Sequence, residues 1–371
     1  MSAAPALDTL PHGVVSLGDH EGHARGVLDA NAWAYFAGGA ADEITLRANQ
    51  AAWSDLKLHP RILRRVAGGH TRVPLLGRTL THPILLAPVA YQRMAHPDGE
   101  MATACAASAQ EAGLVLSTQA SLPLETIADA VRDDVGRGPL WFQLYLQHDR
   151  GFNLELIRRA EAAGYEALVL TVDAPCNGAR DRERQAGFRL PPGISAVNLS
   201  RLPPLPETAL QPGQSALFDG LLRHAPTWDD IAWLLAQTRL PVLLKGIMDE
   251  DDALEAARLR VGGLIVSNHG GRTLDTLPPT AEVLPAIVDA VGNSLPVLVD
   301  GGIRRGTDVL KAMALGARAV LIGRPYIYGL ANAGALGVAH VIRLLRDELE
   351  IAMALSGCTT LDRIPPRLLR R

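Results

Sequence analysis

Eight short runs of consecutive apolar residues recur along the chain between residues 84 and 322. They cover residues 84–87, 114–117, 140–143, 167–171, 242–245, 264–267, 297–300 and 319–322. Strands that are apolar on both faces are typical of parallel sheets buried beneath helices, whereas half-exposed antiparallel strands alternate apolar and polar positions. The pattern therefore predicts eight parallel strands.

Alanine- and leucine-rich segments with helical spacing lie between these runs, for example at residues 99–113, 154–164, 249–262 and 306–316. Several end on a glycine, which suits the left-handed residue that often follows a helix. A strand followed by a helix, repeated eight times, predicts an α/β fold of the (β/α)8 TIM-barrel type. A doubly wound open sheet is the alternative.

The predicted organisation is a single domain, residues 1–371, with unequal parts. Residues 1–83 form an N-terminal helical extension, with helices expected near residues 24–36 and 42–55. The barrel occupies residues 84–355 and is followed by a C-terminal tail, residues 356–371. A proline-rich loop, residues 188–226, interrupts the barrel after strand 4, and a loop of this length is usually a lid, a binding segment or disordered.

Composition narrows the possible partners. Thirty-six Lys and Arg residues against 39 Asp and Glu residues give a net charge of −3, so neither nucleic acid nor an anionic membrane is an expected partner. No apolar run approaches the roughly 18 residues of a membrane-spanning helix. The three cysteines are far apart, so neither a disulfide framework nor a metal site is expected. A cytoplasmic location is the expectation.

Polar residues follow the predicted strands, and in a TIM barrel the working face lies at the carboxyl ends of the strands. The residues at these ends are Gln143, Tyr145, Thr171, Asp173, Lys245, the segment 267–272, the segment 300–304, Gly323 and Arg324. A solvated loop charge would account for any one of them. The full set predicts a site that is built from most of the strands.

The last two strands predict a phosphate site. Gly301, Gly302 and Gly323 would let the backbone approach a ligand, and Arg304 and Arg324 add two guanidinium groups. The loops after strands seven and eight are the usual phosphate-binding loops of such barrels. Ordinary turn glycines are the alternative explanation.

Lys245 ends a buried strand, where an unpaired ammonium group would be costly. Three interpretations stay open: a Schiff base with a carbonyl substrate, a structural ion pair, and a positive charge that faces an electron-accepting cofactor ring.

His269 stands between an asparagine and two glycines at the end of a strand. A lone histidine is more often structural, but Asp300 follows the next strand and could orient the imidazole as a base. Arg180 and Arg272 could each bind a carboxylate through two hydrogen bonds. The four residues together predict proton abstraction from a carboxylic acid.

The segment Ser-Asn-His-Gly-Gly-Arg-Thr-Leu-Asp at residues 267–275 resembles the signature of the FMN-dependent α-hydroxy-acid oxidase and dehydrogenase family, which includes glycolate, lactate and hydroxymandelate oxidases. The resemblance continues at residues 35–40, 87–100, 143–145, 171–175, 244–246, 300–306 and 323–325. It covers roughly residues 30–358 with the motifs in family order, so it is far more specific than an isolated glycine motif.

The resemblance implies a role for each matching residue. His269 would be the base and Asp300 its carboxylate partner, while Arg180 and Arg272 would bind the substrate carboxylate beside Tyr35 and Tyr145. Lys245 would lie at the N1/O2 edge of the FMN ring, which agrees with the cofactor-facing interpretation and weakens the Schiff-base one. The other implied FMN contacts are Pro88, Val89, Ala90, Ser117, Gln143, Thr171, Ser267, Asp300, Gly301, Gly302, Arg304, Gly323 and Arg324.

The implied reaction converts an (S)-2-hydroxy acid to a 2-oxo acid, either by hydride transfer or by a carbanion route. Ala90 is typical of relatives that reduce O2 to H2O2, and a quinone or protein acceptor is the alternative. Gln119 and Tyr91 depart from the residues common in glycolate oxidases, which favours a substrate larger than glycolate, such as a mandelate-like acid. The family resemblance also implies a homo-oligomer, a tetramer or octamer.

Overall fold

The structure is a computed structural model that describes residues 9–205, 210–365 and 367–369. The barrel strands are β3 Ile84–Leu86, β4 Gly113–Leu116, β5 Leu140–Leu144, β6 Ala167–Thr171, β7 Val242–Ile247, β8 Gly263–Val266, β9 Val297–Val299 and β10 Ala319–Ile322. These eight parallel strands close into a barrel in the order β10-β3-β4-β5-β6-β7-β8-β9, which confirms the TIM-barrel prediction.

The helices follow the strands as the apolar spacing predicts. Between the barrel strands and after them lie α4 Gly99–Ala109, α5 Leu124–Val131, α6 Arg150–Ala163, α7 Asp181–Gln185, α8 Trp228–Gln237, α9 Glu250–Arg258, α10 Thr280–Val291, α11 Gly306–Ala314 and α12 Arg324–Ser356. The barrel strands are buried on both faces. Burial of both faces explains why their sequences lack the alternation of a half-exposed sheet.

The described part of the N-terminal extension, residues 9–83, contains three helices rather than two. They are α1 Leu17–Val27, α2 Ala30–Ala37 and α3 Ile44–Asp55. The single helix expected at residues 24–36 is wrong because Asp29 starts a new helix: its side chain accepts a hydrogen bond from the N–H of Ala32 at 2.7 Å. An aspartate in this position satisfies a free N–H group at the beginning of a helix and favours a break before it.

A two-stranded antiparallel hairpin completes the extension and was not predicted. It pairs β1 Val73–Leu75 with β2 Arg78–Leu80. Its two turn residues, Leu76 and Gly77, both have positive φ, which is the backbone geometry of a tight hairpin turn. Each strand has only three residues, which is too few for an alternation of apolar and polar positions to indicate a strand.

The last helix, α12, is the longest element, and its backbone is non-helical at Ala333 and Gly334. It packs against α1, α4 and α11. By length and composition it is the one helix of the described residues apolar enough to cross a membrane, but 61% of that apolar window is buried inside the protein. Helix α12 is therefore packed as a core helix.

The loop at residues 188–226 has little regular structure in its described part. It contains two short 3-10 turns, Val197–Leu199 and Leu221–His224, and a π-type turn, Ala216–Gly220. The ring of Phe188, at the start of the loop, stacks on Tyr35 with ring centroids 5.0 Å apart. The loop therefore approaches the carboxyl ends of the strands.

Candidate active site

A cavity of about 830 Å³ opens at the carboxyl ends of the barrel strands. Its volume falls within the range of small-molecule and cofactor sites. Every residue to which the family resemblance gives a role lines this cavity except Ser267. Ser267 is fully buried behind it, and its hydroxyl oxygen accepts hydrogen bonds from Lys245 and from the N–H of His269.

The predicted base, His269, has a carboxylate partner, but this partner is not Asp300. Nδ1 of His269 lies 2.8 Å from Oδ1 of Asp173, which follows β6. Burial would raise the pKa of Asp173, but His269 and Lys245 outweigh burial, and the pKa lies below its ordinary value. An ionised carboxylate only accepts hydrogen bonds, so Nδ1 carries the proton and Nε2 is the basic nitrogen.

The imidazole of His269 is neutral in this setting. Burial lowers its pKa, and although Asp173 opposes this effect, Lys245 and Arg272 add to it, so the pKa lies below its ordinary value. A neutral imidazole can accept a proton at neutral pH. The backbone at His269 is left-handed, with φ of 56°.

Asp300 pairs with Lys245 instead, which corrects the prediction that it orients His269. Its Oδ2 lies 3.1 Å from Nζ of Lys245, and both side chains are buried. Nζ also donates a hydrogen bond to Oγ of Ser267 at 2.8 Å. The long lysine side chain reaches the carboxylate, so Asp300 is already neutralised by an ion pair.

The pair also bears on the Schiff-base interpretation. Burial would lower the pKa of Lys245, but Asp300 and Asp173 outweigh it and raise the pKa above its ordinary value. A lysine that attacks a carbonyl must lose its proton, which requires a lowered pKa. The structure therefore opposes a Schiff base and supports a permanent positive charge in the cavity wall.

Arg180 and Arg272 lie together at one end of the cavity, and both contact one oxygen of Glu183. Oε1 of Glu183 is 3.2 Å from Nη1 of Arg180 and 3.2 Å from Nη2 of Arg272. Nη1 of Arg272 donates to the backbone oxygens of Tyr35 and Gly38, at 2.5 and 2.8 Å. Arg272 is thus tied to the N-terminal extension, and sequence reasoning missed Glu183.

Two tyrosines complete this end of the cavity. The guanidinium of Arg272 lies over the ring of Tyr35, 5.1 Å from its centroid. Burial raises the pKa of both Tyr35 and Tyr145 well above the ordinary value. Both are therefore neutral phenols, which can donate hydrogen bonds to an anion.

The two arginines predicted to bind phosphate, Arg304 and Arg324, line the same cavity, and Arg324 shares the Gly38 oxygen with Arg272. Neither Arg304 nor Arg324 has an ion-pair partner within the described ranges. The three nitrogens of the Arg324 guanidinium donate to the backbone oxygens of Phe36, Gly270 and Gly38, and α12 begins at Arg324. Two unneutralised cations beside the N-terminus of a long helix suit a phosphate dianion.

Two of the predicted glycines, Gly301 and Gly302, are also required by the local backbone, as the alternative of turn glycines predicts. Gly301 and Gly302 have φ of 92° and 85°. A Cβ on Gly302 would lie 2.2 Å from the backbone oxygen of Asn49 in α3. These glycines therefore allow a left-handed backbone and close packing of the extension, rather than serving only the approach of a ligand.

The middle of the cavity is lined by polar side chains that hold one another. Nε2 of Gln143 donates to Oγ1 of Thr171 at 3.1 Å, and the N–H of Thr118 donates to Oε1 of Gln143 at 3.1 Å. The hydroxyl of Ser117 contacts the same oxygen of Gln143 at 3.4 Å. The amide of Gln143 is therefore locked in one orientation.

The wall formed by Pro88, Val89 and Ala90 has a buried support that sequence reasoning missed. Nε2 of Gln92 donates to the backbone oxygen of Val89 at 3.2 Å and to the hydroxyl of Tyr326 at 3.1 Å. The Tyr326 hydroxyl donates to the backbone oxygen of Ala87 at 2.8 Å. Gln92 lies inside the 87–100 motif, which was the available signal.

These residues fit FMN. The unneutralised Arg304 and Arg324 match the charge of its phosphate, and the cavity of about 830 Å³ is large enough for a flat ring beside the wall at residues 88–90. The charged Lys245 stands where negative charge on a reduced ring would be stabilised.

Comparisons with known proteins agree with this geometry. Residues 24–371 match the family described as FMN-dependent dehydrogenase. The chain is 51% identical to an L-lactate oxidase from Alicycliphilus denitrificans over 96% of both chains. It is 42% identical to human 2-hydroxyacid oxidase 1, over 96% of this chain and 97% of that one.

A solved structure is similar as well. A crystal structure of mandelate oxidase with (S)-2-phenylpropionate superimposes with a TM-score of 0.85 at 42% identity, over 96% of this chain and 98% of that one. The matches extend over nearly the whole chain, extension and barrel together. The chain therefore belongs to the FMN-dependent dehydrogenase family, and its cofactor is FMN.

Proposed function

We propose that this protein oxidises an (S)-2-hydroxy monocarboxylic acid to the 2-oxo acid and passes the electrons to O2, which gives H2O2. The observation that carries the proposal is one cavity lined by a neutral histidine, His269, and two arginines, Arg180 and Arg272. The histidine can take a proton while the arginines hold a carboxylate next to it. Relatives named lactate oxidase and 2-hydroxyacid oxidase support the same reaction class.

The carboxylate of the substrate binds to the arginine pair. Arg180 offers Nε, which is buried and has no hydrogen-bond partner among the described residues. The neutral phenols of Tyr35 and Tyr145 donate to the carboxylate and to the 2-hydroxyl oxygen. Charged donors and phenols together orient C2 and its hydroxyl toward His269.

His269 accepts the proton at Nε2. Asp173 holds the proton on Nδ1 and stabilises the imidazolium that forms, as an orienting carboxylate does for a catalytic histidine. FMN, when bound, supplies the two-electron acceptor. The substrate loses two electrons and two protons, and O2 takes up the same number to become H2O2.

The substrate side chain is proposed to be apolar and larger than that of glycolate. Five leucines of the loops after β5 and β6 line the cavity, together with Phe188: Leu146, Leu190, Leu199, Leu205 and Leu221. An apolar chamber favours a methyl or aryl substituent over a hydrogen atom. The relatives named lactate oxidase and mandelate oxidase support this size class.

The test is turnover in air with a panel of glycolate, (S)-lactate, (S)-mandelate, 4-hydroxymandelate and long-chain 2-hydroxy acids. We expect one H2O2 per 2-oxo acid, with kcat/KM lowest for glycolate. Reduced flavin that persists in oxygenated buffer would instead indicate a quinone or protein acceptor.

We further propose a cytoplasmic homo-oligomer, a tetramer or octamer. The family resemblance supports it, as do the exposed apolar side chains of Ile351 and Leu355 on α12, 58% and 72% accessible. Light scattering on the holoenzyme measures the assembly, and fractionation of the source cells measures the location.

A further inference from the structure

Glu183 is the acidic residue in contact with the proposed carboxylate-binding arginines. One of its oxygens, Oε1, lies 3.2 Å from both Nη1 of Arg180 and Nη2 of Arg272. Its side chain lines the cavity and is 15% exposed. A protein carboxylate therefore shares the two guanidinium groups that a substrate carboxylate would use.

The three charged groups of this cluster, Arg180, Arg272 and Glu183, sum to one positive charge, while the neighbouring Arg324, which shares the Gly38 oxygen with Arg272, is assigned to the cofactor phosphate. Arg180 and Arg272 contribute two, and Glu183 removes one. Arg182, on the same short helix, pairs with Glu43 at 2.6 Å and adds nothing to the sum. The neighbouring phenols are neutral because burial raises their pKa values. The net charge of +1 on the cluster of Arg180, Arg272 and Glu183 matches a ligand with a single carboxylate.

Glu183 does not use up the donors of the pair. It takes Nη1 of Arg180, while Nε of the same guanidinium is buried and has no partner in the described chain. An incoming carboxylate can therefore bind beside Glu183 without displacing it. Two carboxylates then face two guanidinium groups, and a third carboxylate would lack a counter-charge. Like charges a few ångströms apart in a partly buried site repel strongly.

We propose that Glu183 is a specificity-determining residue whose charge restricts the arginine pair to monocarboxylates. This inference rests on the proposed function, because it takes Arg180 and Arg272 as the carboxylate site. Glu183 would disfavour the binding of diacids. Its carboxylate repels both carboxylates of a ligand that has two adjacent ones, and it repels only one in a monocarboxylate.

The test is calorimetric titration of the purified holoenzyme at low salt and pH 7 with pyruvate, a monoanion, and oxalate, a dianion. E183Q keeps an acceptor oxygen and removes the charge. We expect E183Q to bind both anions more tightly and to raise the preference for oxalate over pyruvate by about tenfold or more. E183M, which also lacks the charge, is expected to raise the preference in the same direction.

Two control variants separate charge at this position from other effects. D181N removes a negative charge from the same helix, where Asp181 faces solvent and contacts Arg184 rather than the pair, so the wild-type preference is expected. E183D keeps the charge and is expected to keep the preference as well.

An unchanged oxalate preference in E183Q, or an equal increase in D181N or E183D, would overturn the inference and leave the proposed reaction intact. Wild-type holoenzyme that binds neither anion would overturn the carboxylate site itself, and with it the proposed function.

Discussion

Nδ1 of His269 and Oδ1 of Asp173 lie 2.8 Å apart, although they belong to the ends of different strands, β8 and β6. Three consecutive left-handed residues, His269, Gly270 and Gly271, turn the chain after β8. The turn directs the imidazole toward Asp173 and away from Asp300, the acidic residue that follows the neighbouring strand. The orienting carboxylate of the proposed base is therefore Asp173.

Replacing Asp173 by asparagine should remove most of the proposed base function. An amide can stabilise the other tautomer of His269 and cannot stabilise the imidazolium, so we expect D173N to slow flavin reduction by on the order of 100-fold or more. Stopped-flow measurement of flavin bleaching without O2 checks this. Substrate affinity should change little, because the arginines are untouched; a rate within threefold of wild type would refute this assignment.

Lys245 and Asp300 form a buried ion pair at 3.1 Å, and removal of one partner leaves an uncompensated charge. We expect K245M to lower the free energy of unfolding by about 3–5 kcal/mol, measured by urea denaturation of the protein without cofactor. The double variant K245M/D300L should recover much of this stability. It should still bind FMN more weakly than wild type, because the positive charge in the cavity wall is gone. Full recovery of FMN affinity would contradict a cofactor-facing role for Lys245.

Substitution of Gly302 by alanine tests how much the packing of the N-terminal extension against the barrel contributes to stability. A Cβ at this position would meet the backbone oxygen of Asn49 at 2.2 Å in a backbone with φ of 85°. Gly68 has nearly the same φ, 80°, but open space around it. We expect G68A to cost about 1 kcal/mol for backbone strain alone and G302A to cost at least twice as much. Equal losses in thermal or urea denaturation would show that the contact with α3 is unimportant.

The α1–α12 contact predicts a pH dependence of stability. His20 is fully buried, with Nε2 at 3.0 Å from Nδ1 of His340 and Nδ1 accepting from Asn332. Burial, aided by His340, lowers its pKa to about 4 from an ordinary value of 6.5. Between these values the unfolded chain binds a proton that the folded chain does not, so stability falls as the pH falls from 6.5 to 4.

The effect of His20 amounts to about 2 kcal/mol by pH 4.5. His82 has the same depressed pKa for the same reason, burial. Because His82 is present in both wild type and the H20Q variant, its contribution to the pH dependence is common to the two proteins. Urea denaturation at pH 7, 5.5 and 4.5 measures the slope, and the H20Q variant should lose less stability on acidification than wild type. Identical slopes in wild type and H20Q would contradict this prediction.

The barrel could be predicted because each strand is apolar on both faces and because the apolar residues within each helix have regular helical spacing. The break at Asp29 and the short hairpin around Gly77 could not, since they depend on one capping side chain and on strands of three residues. The composition of the site followed from the strand ends. The pairing of His269 with Asp173 and of Lys245 with Asp300 could not be predicted. These pairs depend on the length of the side chains and on the left-handed turn at His269, and the order of residues along the chain specifies neither.

The role of Glu183 could not be predicted from the sequence either. It lies in a charged segment whose residues alternate in sign, Arg180 to Arg184, and such a segment is typical of a solvated surface. Only the structure shows that Glu183 faces the arginine pair, whereas Asp181 and Arg184 face solvent.

The central claim is that His269, Arg180 and Arg272 act on one 2-hydroxy acid beside one FMN. Anaerobic titration of the purified holoenzyme with (S)-lactate and (S)-mandelate, followed by flavin absorbance, tests it most directly. The account predicts complete bleaching by at least one (S) acid, no bleaching by its (R) enantiomer, and a rate lowered at least 100-fold in H269A. Flavin that stays oxidised with every 2-hydroxy acid, or that bleaches equally fast in H269A, would contradict it.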